Sequence, residues 1–231
     1  QIKDILAPGS VGVDTSLVLV NAIYFKGPWK TAFKKEDTQE LPFKVTEQES
    51  KPVQMMRQNG TFRVTEVPEK KMKILELPYA GDEMSMLVLL SDDISGLEQL
   101  EKKISFQKIR EWTSPNVMEE KRVEVYLPRM KFEEKYNLTS ILVALGMTDL
   151  FSPLADLSGI SSAESLKLSE AIHEAHVEVD EEGTSTSGTE DVAGELKNSP
   201  DMQFRADHPF IFLVRHNPTD SIFFLGRYTS P

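Results

Sequence analysis

The sequence predicts an α+β fold organised around a largely antiparallel β-sheet. Segments with the alternation or the short apolar runs of β-strands outnumber segments with helical spacing. Several pairs of such segments are separated by short turn sequences, so hairpins recur along the chain. Strands joined in this way, together with a few helices, are typical of the α+β class.

The first predicted strand is the apolar run from Leu17 to Phe25, "LVLVNAIYF". Both alternating faces of the run are apolar, which predicts a strand covered on both sides in the middle of a sheet. Asn21 interrupts the run. It is either buried with a hydrogen-bond partner or located where the strand meets solvent, and the run alone favours the second alternative.

A hairpin and a helix are predicted next. The apolar segments "MKILELPYA" and "MSMLVLL" flank the turn "GDE", which predicts a hairpin over residues 72–90. The segment 95–112, "SGLEQLEKKISFQKIREW", has apolar residues near helical spacing. Ser95 and Glu98 have the spacing of a capping box, which predicts that one helix begins there.

Alternation in residues 121–136 predicts a strand, in which Pro128 indicates an edge or a bulge. The segment "NLTSILVALGM" predicts a short helix that closes near Gly146. Residues 166–180 are ambiguous, because helix formers precede a strand-like alternation. Residues 209–228 predict a strand, the turn "NPTD" and a second strand.

The composition excludes several classes of function. The chain has no cysteine, which excludes disulfides, thiolate catalysis and cysteine-based zinc sites. Its formal net charge is −11 and its basic pairs are scattered, which argues against nucleic acid or heparin as a partner. The apolar runs are too short to span a membrane. The start "QIKDILAPGS" lacks signal-peptide features, so either no cleavable signal is used or this is not the natural N-terminus.

No catalytic or metal site is predicted from the residues. His173 and His176 are three residues apart, so they would share a face on a helix but point to opposite faces on a strand. No third ligand has a useful spacing, and the zinc-protease signature needs a longer spacing between its histidines. No phosphate-binding glycine loop and no nucleophile elbow occurs. The residues therefore indicate a protein that is not an enzyme and needs no cofactor.

Several segments resemble one family. "VNAIYFKGPW", "VEVDEEGT" and "FRADHPFIFLVR" followed by "PTDSIFFLGR" occur in this order, and together they resemble the serpin family. "TEQESKPVQMM", "KMKILELP", "EEKYNLTS" and "LSGISSAESLKLS" resemble its ovalbumin group, which consists of egg-white proteins. The resemblance implies a large central, mostly antiparallel sheet, smaller sheets, helices and an exposed reactive loop.

The resemblance also implies that residues 1–231 are the C-terminal part of a single serpin domain. A whole serpin carries a further N-terminal part with most of the helices and part of the main sheet. We therefore expect that residues 1–231 alone do not fold into a stable domain, because their strands would lack neighbours.

The resemblance assigns roles to three separate residues. Asn21 and His173 fall at the shutter, where the central sheet parts, and are expected to hydrogen-bond to each other. The resemblance therefore favours a hydrogen-bonded Asn21, whereas the apolar run alone favours an Asn21 located where the strand meets solvent. Trp29 falls at the breach, where the reactive loop first enters the sheet.

The resemblance places the hinge and the reactive loop at residues 181–203. In an inhibitory serpin a protease cuts the loop, which then inserts as a new strand and traps the enzyme. The family's usual loop length puts the cut bond between Lys197 and Asn198, which suits a trypsin-like serine protease. The hinge residues and the loop residues on the face that would turn inward are Glu181, Glu182, Gly183, Thr184, Thr186, Gly188 and Glu190.

The loop departs from the inhibitory pattern, because insertion requires small, uncharged side chains at alternate positions. Glu190 would carry a carboxylate into the sheet. We therefore expect weak or lost inhibition and a storage or nutrient role in egg white. The alternative is a working suicide inhibitor of trypsin-like proteases, unless Glu190 lies at the open end of the sheet. A ligand-binding or heparin-binding serpin is a further alternative that the charge pattern does not favour.

Two acceptor triplets predict N-glycosylation of a secreted protein. Asn137-Leu138-Thr139 follows a predicted strand and should be exposed, and Asn59-Gly60-Thr61 is the weaker candidate. The triplet at Asn217 is blocked by Pro218. We expect the whole protein to be an extracellular monomer.

Overall fold

The computed structural model describes residues 5, 6, 8, 9, 11–161, 166–182 and 199–231. The chain divides into two compact units. The first comprises residues 1–26 and 131–178, and the second comprises residues 27–130 and 179–231. Both units contain β-sheet and the described helices are short, as the predicted α+β class requires.

The described strands, in chain order, are β1 (Val18–Phe25), β2 (Gln39–Lys44), β3 (Ser50–Val67), β4 (Met72–Pro78), β5 (Met84–Ser91), β6 (Glu119–Pro128), β7 (Met130–Asn137), β8 (Glu170–Val179), β9 (Met202–Arg205), β10 (Phe210–His216) and β11 (Ser221–Tyr228). The described α-helices are α1 (Leu97–Glu101), α2 (Phe106–Trp112) and α3 (Thr139–Ala144). In the part of the chain that is described, none of the helices is long and apolar enough to cross a membrane.

The larger sheet belongs to the second unit and has the strand order β11-β10-β5-β4-β3-β6-β9, with β2 also paired to β3. All of its pairs are antiparallel except β6 with β9. The predicted hairpins over 72–90 and 209–228 are β4–β5 and β10–β11. Strand β3 pairs with β2 along residues 50–55, with β6 along residues 55–64 and with β4 along residues 63–67.

One buried apolar layer of the second unit lies between one face of this sheet and the helices α1 and α2. Alternate residues of β4, β5 and β10 point to that face, where the helices contribute Leu100, Ile109 and Trp112. Ile74 and Leu87 are completely buried there. Full burial of one such side chain contributes about 1.5–3 kcal/mol, so this layer contributes substantially to the stability of the unit.

The prediction of one helix over residues 95–112 is wrong, because the segment forms α1 and α2. Ser95 lies within a 3₁₀ turn, and Gly96 precedes α1 without a side-chain cap. The break occurs because Ser105 adopts an extended backbone and its hydroxyl accepts the Lys108 N–H at 3.2 Å. Ser105 is therefore the N-cap of a second helix rather than an interior helical residue.

The smaller sheet belongs to the first unit and has three strands in the order β1-β8-β7. Strand β1 lies at one end of it and pairs, among the described residues, with β8 alone. Within the described residues, the prediction of a strand in the middle of a sheet and covered on both faces is therefore not met. Leu19, Val20 and Tyr24 are exposed, because no further strand or layer covers β1 in the described chain.

The remaining predictions concern β6, β7, β8 and α3. The strand predicted over 121–136 ends at Pro128, and the chain then enters β7 of the other sheet. The ambiguous segment is the strand β8. The short helix is α3, and Gly146 has a φ of +98° just after it, as a C-terminal glycine should.

Candidate functional site

The hinge begins where the chain leaves β8, and its first residues belong to the second unit, where Trp29 and Phe33 bind their backbone. The indole N–H of Trp29 donates to the carbonyl of Asp180 at 2.8 Å. The backbone N–H of Phe33 donates to the carbonyl of Glu181 at 3.0 Å. The Glu182 N–H donates to the Asp180 carboxylate at 3.1 Å. These bonds fix the path of the chain just before Gly183.

Glu181 is a buried carboxylate with two donors. Its side chain is 2% exposed, and Oε1 accepts from Nη2 of Arg129 at 2.5 Å and from the Thr38 hydroxyl at 2.6 Å. Burial pushes the pKa of Glu181 upward, but the hydrogen bonds from Arg129 and Thr38 outweigh it and hold the pKa below its ordinary value. The carboxylate therefore stays ionised and anchors the hinge.

Glu182, the next hinge residue, is exposed and forms an ion pair with Lys35. The hydrogen bond from Lys35 to Glu182 raises the pKa of Lys35 above its ordinary value. Since both side chains face solvent, this pair adds little stability. The two hinge glutamates thus differ, because Glu181 is an anchor and Glu182 is a surface group.

Trp29 is itself rigidly packed. It is 6% exposed and stacks on Tyr79 with ring centroids 4.6 Å apart and an interplanar angle of 7°. Phe33 contacts the indole edge-on at 6.0 Å. Burial raises the pKa of Tyr79 far above its ordinary value. The residue assigned to the breach by resemblance therefore contacts the base of the loop from a fixed platform.

Asn21 and His173 lie side by side on β1 and β8 of the first unit. They are register partners, and Nδ2 of Asn21 lies 2.9 Å from Nδ1 of His173. Tyr136 of β7 stacks on the His173 ring with centroids 6.3 Å apart. The side chains assigned to the shutter thus bridge neighbouring strands of the smaller sheet.

Because β8 is a strand, His176 points to the face opposite His173. It is 6% exposed, its ring contacts Tyr24 edge-on at 5.0 Å, and its Nδ1 lies 3.4 Å from Glu133. The two histidines cannot bind one metal ion together. Within the described ranges, no group of three or more histidine and carboxylate side chains is placed to hold a metal ion.

The smaller sheet is closed between β1 and β8. These strands are parallel and pair in unbroken register from Val18 with Glu170 to Phe25 with Val177. A strand that joined the sheet at this position would have to separate every one of these pairs.

The loop itself lies outside the described residues. This applies to Gly183, Thr184, Thr186, Gly188, Glu190, Lys197 and Asn198. On the far side the chain is fixed by Asp201, whose carboxylate accepts from Nη2 of Arg122 at 2.7 Å. Strand β9 follows at once and pairs with β6.

Both glycosylation candidates are exposed. Asn137 is the last residue of β7, and its side-chain oxygen accepts the Thr139 N–H at 3.0 Å. Asn59 lies within β3, opposite Glu124 of β6.

Arg129, Thr38 and Phe33 contact the hinge but were not identified from the sequence. Arg129 and Thr38 are 52 and 143 residues from Glu181. The only local signal concerns Arg129, because Pro128 ends β6 immediately before it.

The comparisons with known proteins cover the whole chain. The family model described as "Serpin (serine protease inhibitor)" matches residues 1–231. Ovalbumin-related protein X of Gallus gallus is 62% identical over 232 residues, which is 100% of both chains. Ovalbumin of Gallus gallus is 60% identical over 230 residues, which is 100% of this chain but 59% of ovalbumin.

Solved structures agree with these matches. The crystal structure of uncleaved ovalbumin superimposes with a TM-score of 0.90 at 59% identity, covering 100% of this chain and 58% of that one. A loop-inserted structure of a cleaved ovalbumin mutant gives a TM-score of 0.80 at 57% identity, covering 90% of this chain and 53% of that one. The resemblance predicted from the sequence is confirmed, and the chain belongs to the serpin family.

Proposed function

We propose that this chain is part of a secreted egg-white protein of the ovalbumin type, with a storage or nutrient role and weak or lost protease inhibition. It is not an enzyme and needs no cofactor in this proposal. The identities of about 60% to ovalbumins and their relatives support this assignment. The whole protein would be a glycosylated extracellular monomer without a nucleic-acid or membrane partner.

The observation that carries the proposal is the closed ladder between β1 and β8. Because these strands are parallel, one strand running the other way could insert between them and form antiparallel pairs with both. Before it gains those pairs, it must break the existing register from Val18 to Phe25. The inserting segment therefore has to compensate for that cost with its own side chains.

Glu190 makes this compensation poor. Alternate residues counted from Thr184, namely Thr186, Gly188 and Glu190, would face inward with it, so Glu190 is among them. An ionised carboxylate in that position must be desolvated or protonated, and either process opposes insertion. Each increase of about 1.4 kcal/mol in the insertion barrier slows insertion about tenfold, so that deacylation wins and the protease is released.

The partner in this proposal is a trypsin-like serine protease that treats the loop as a substrate and cuts between Lys197 and Asn198. The protein, expressed at the full length that its gene encodes, should be incubated with trypsin and separated on a denaturing gel. We expect a nicked chain and no denaturant-stable complex. The melting temperature should be nearly the same before and after cleavage.

A matched pair of variants tests the role of Glu190. Thr186→Ala combined with Glu190→Ala should raise the melting temperature after cleavage, because the loop could then join the sheet as a strand. Asp191→Ala removes a neighbouring charge from the other face and should leave the melting temperature unchanged. A wild-type protein that traps trypsin, or that gains many degrees on cleavage, would establish the inhibitor alternative instead.

A further inference from the structure

A groove of about 270 Å³ lies in the second unit, away from the hinge. One wall is the turn between β3 and β4, in which Pro68–Lys70 forms a 3₁₀ turn and Lys71 has a left-handed backbone with φ +49°. The other wall is α1 and the residues on either side of it. The groove is thus formed by backbone that its own hydrogen bonds hold in place, including Lys71 N–H to Pro68 O at 3.0 Å.

The walls approach closely because residue 96 is glycine. A β-carbon on Gly96 would lie 1.8 Å from the Ser91 hydroxyl oxygen, so no larger residue fits without movement. The Gly96 N–H donates to Asp93 O at 2.9 Å, which brings the start of α1 against the end of β5. The groove is therefore a consequence of this contact rather than of loose packing.

The rim carries three lysines and two carboxylates, which is a net charge of one positive on a chain whose net charge is −11. Lys71 pairs with Asp93 at 3.6 Å. Lys70 and Lys103 have no ion-pair partner among the described residues, and Lys70 is half-buried. Glu69 is the remaining carboxylate of the rim. Two ammonium groups therefore face the groove with a single acidic residue left to oppose them.

The floor is apolar and contains one unused donor. Met72, Leu100 and Trp112 line the groove and are 2%, 5% and 6% exposed. The indole N–H of Trp112 has no hydrogen-bond partner in the described chain, and it is not fully shielded from solvent. A carboxylate can accept both from an indole N–H and from lysine ammonium groups.

We propose that this groove binds a small carboxylate with an aromatic or short aliphatic body. The body would lie on Met72, Leu100 and Trp112, and the carboxylate would accept hydrogen bonds from Lys70, Lys103 and the Trp112 indole N–H. The volume is slightly below the usual range of about 300–1,000 Å³ for ligand pockets, so the ligand is small. This proposal is independent of the reactive loop.

The probe for the test is 4-phenylbutyrate, with its uncharged amide as the matched ligand. Trp29 and Trp112 each contribute one indole N–H signal to the nitrogen–proton NMR spectrum of the protein expressed at full gene length. The variant Trp112→Phe assigns the Trp112 signal, because that signal is absent from the spectrum of the variant. Trp29 is an internal control, since its indole N–H already donates to Asp180 O.

We expect 4-phenylbutyrate to shift the Trp112 signal saturably with a dissociation constant on the order of 1 mM, while the Trp29 signal stays in place. The amide should bind at least about threefold more weakly, since it makes no ion pair. Lys70→Gln and Lys103→Gln should each weaken carboxylate binding about three- to tenfold. Added salt should weaken it as well.

Lys102→Gln is the matched control variant. Lys102 is the neighbour of Lys103, but it pairs with Glu98 at 2.6 Å and does not line the groove, so its loss should leave the affinity unchanged. The proposal is overturned if the Trp112 signal does not respond, or if the amide binds as tightly as the carboxylate. It is equally overturned if Lys102→Gln weakens binding as much as Lys70→Gln.

Discussion

The carboxylate of Glu181 lies 2.5 Å from the guanidinium of Arg129, and the glutamate side chain is 2% exposed whereas the arginine side chain is 47% exposed. The acid is therefore buried and its partner reaches it from the surface. Removing the partner should cost more than removing the acid, because a buried charge would remain without compensation.

Arg129→Ala should lower the free energy of unfolding by about 2–3 kcal/mol, less than for a fully buried pair because Arg129 is half exposed. The double variant Arg129→Ala with Glu181→Gln should recover part of this loss, since no charge is left buried. Urea unfolding measures both. The exposed pair Arg227–Glu101 is the control, and Arg227→Ala should cost less than about 1 kcal/mol. A double variant less stable than Arg129→Ala would contradict the explanation.

The same pair predicts a pH dependence. The folded-state pKa of Glu181 lies below its ordinary value of 4.5, so the unfolded chain binds the proton more readily. The stabilisation is complete above the unfolded pKa and is lost as the pH falls through the folded pKa. Over roughly pH 6 to 3, urea unfolding should show a steeper loss of stability for the wild type than for Glu181→Gln. Equal slopes would show that the pair is not the titrating element.

The contact between Asn21 and His173 should couple β1 to β8 energetically. A double-mutant cycle with Asn21→Ala and His173→Ala should give an interaction energy of about 1 kcal/mol. The measurement is chemical unfolding of the four proteins. Additive effects of the two substitutions would mean that the 2.9 Å contact contributes nothing to stability.

Gly96→Ala should destabilise the protein by about 1–3 kcal/mol, because its β-carbon would overlap the Ser91 hydroxyl. Replacing Ser91 with glycine in the same protein should restore part of the loss by opening the space. Gly159→Ala is the control, since nothing lies within 4 Å of a β-carbon there. The readout is the shift in melting temperature, and a loss as large for Gly159→Ala would refute the steric argument.

Asn137 should carry a glycan in protein purified from its natural source. It is exposed at the end of β7, and its triplet continues into α3. Peptide mass mapping should find the Asn137 peptide heavier by one glycan, and a fraction of Asn59 peptides as well. An entirely unmodified Asn137 peptide would contradict the prediction.

Local patterns predicted the elements whose partners are near in sequence. The hairpin β4–β5 and the helix α3 follow from turn residues and periodicity, and both are present. The single helix over 95–112 failed because Ser105 offers a local cap that competes with helix continuation. The prediction that β1 is covered on both faces is not met in the described residues, because an apolar run indicates what a strand could bury but not which strand lies beside it.

The candidate site was only partly accessible from the sequence. Asn21, His173 and Trp29 were identified through resemblance, since a lone asparagine, histidine or tryptophan has no local signature. Arg129 and Thr38 could not be found in this way, because they meet Glu181 across large sequence separations. The charge of Glu190, in contrast, is given by the sequence alone. The proposal of weak inhibition depends on that charge.

Strand β3 has a consequence for how the second unit comes apart. Its 18 residues pair with β2, β6 and β4, so a single stretch of backbone holds both ends of the larger sheet together. Neither end can open fully without breaking backbone hydrogen bonds of β3. The two ends should therefore unfold as one cooperative unit, and amide protons in the middle of β3 should be among the slowest to exchange with solvent deuterium.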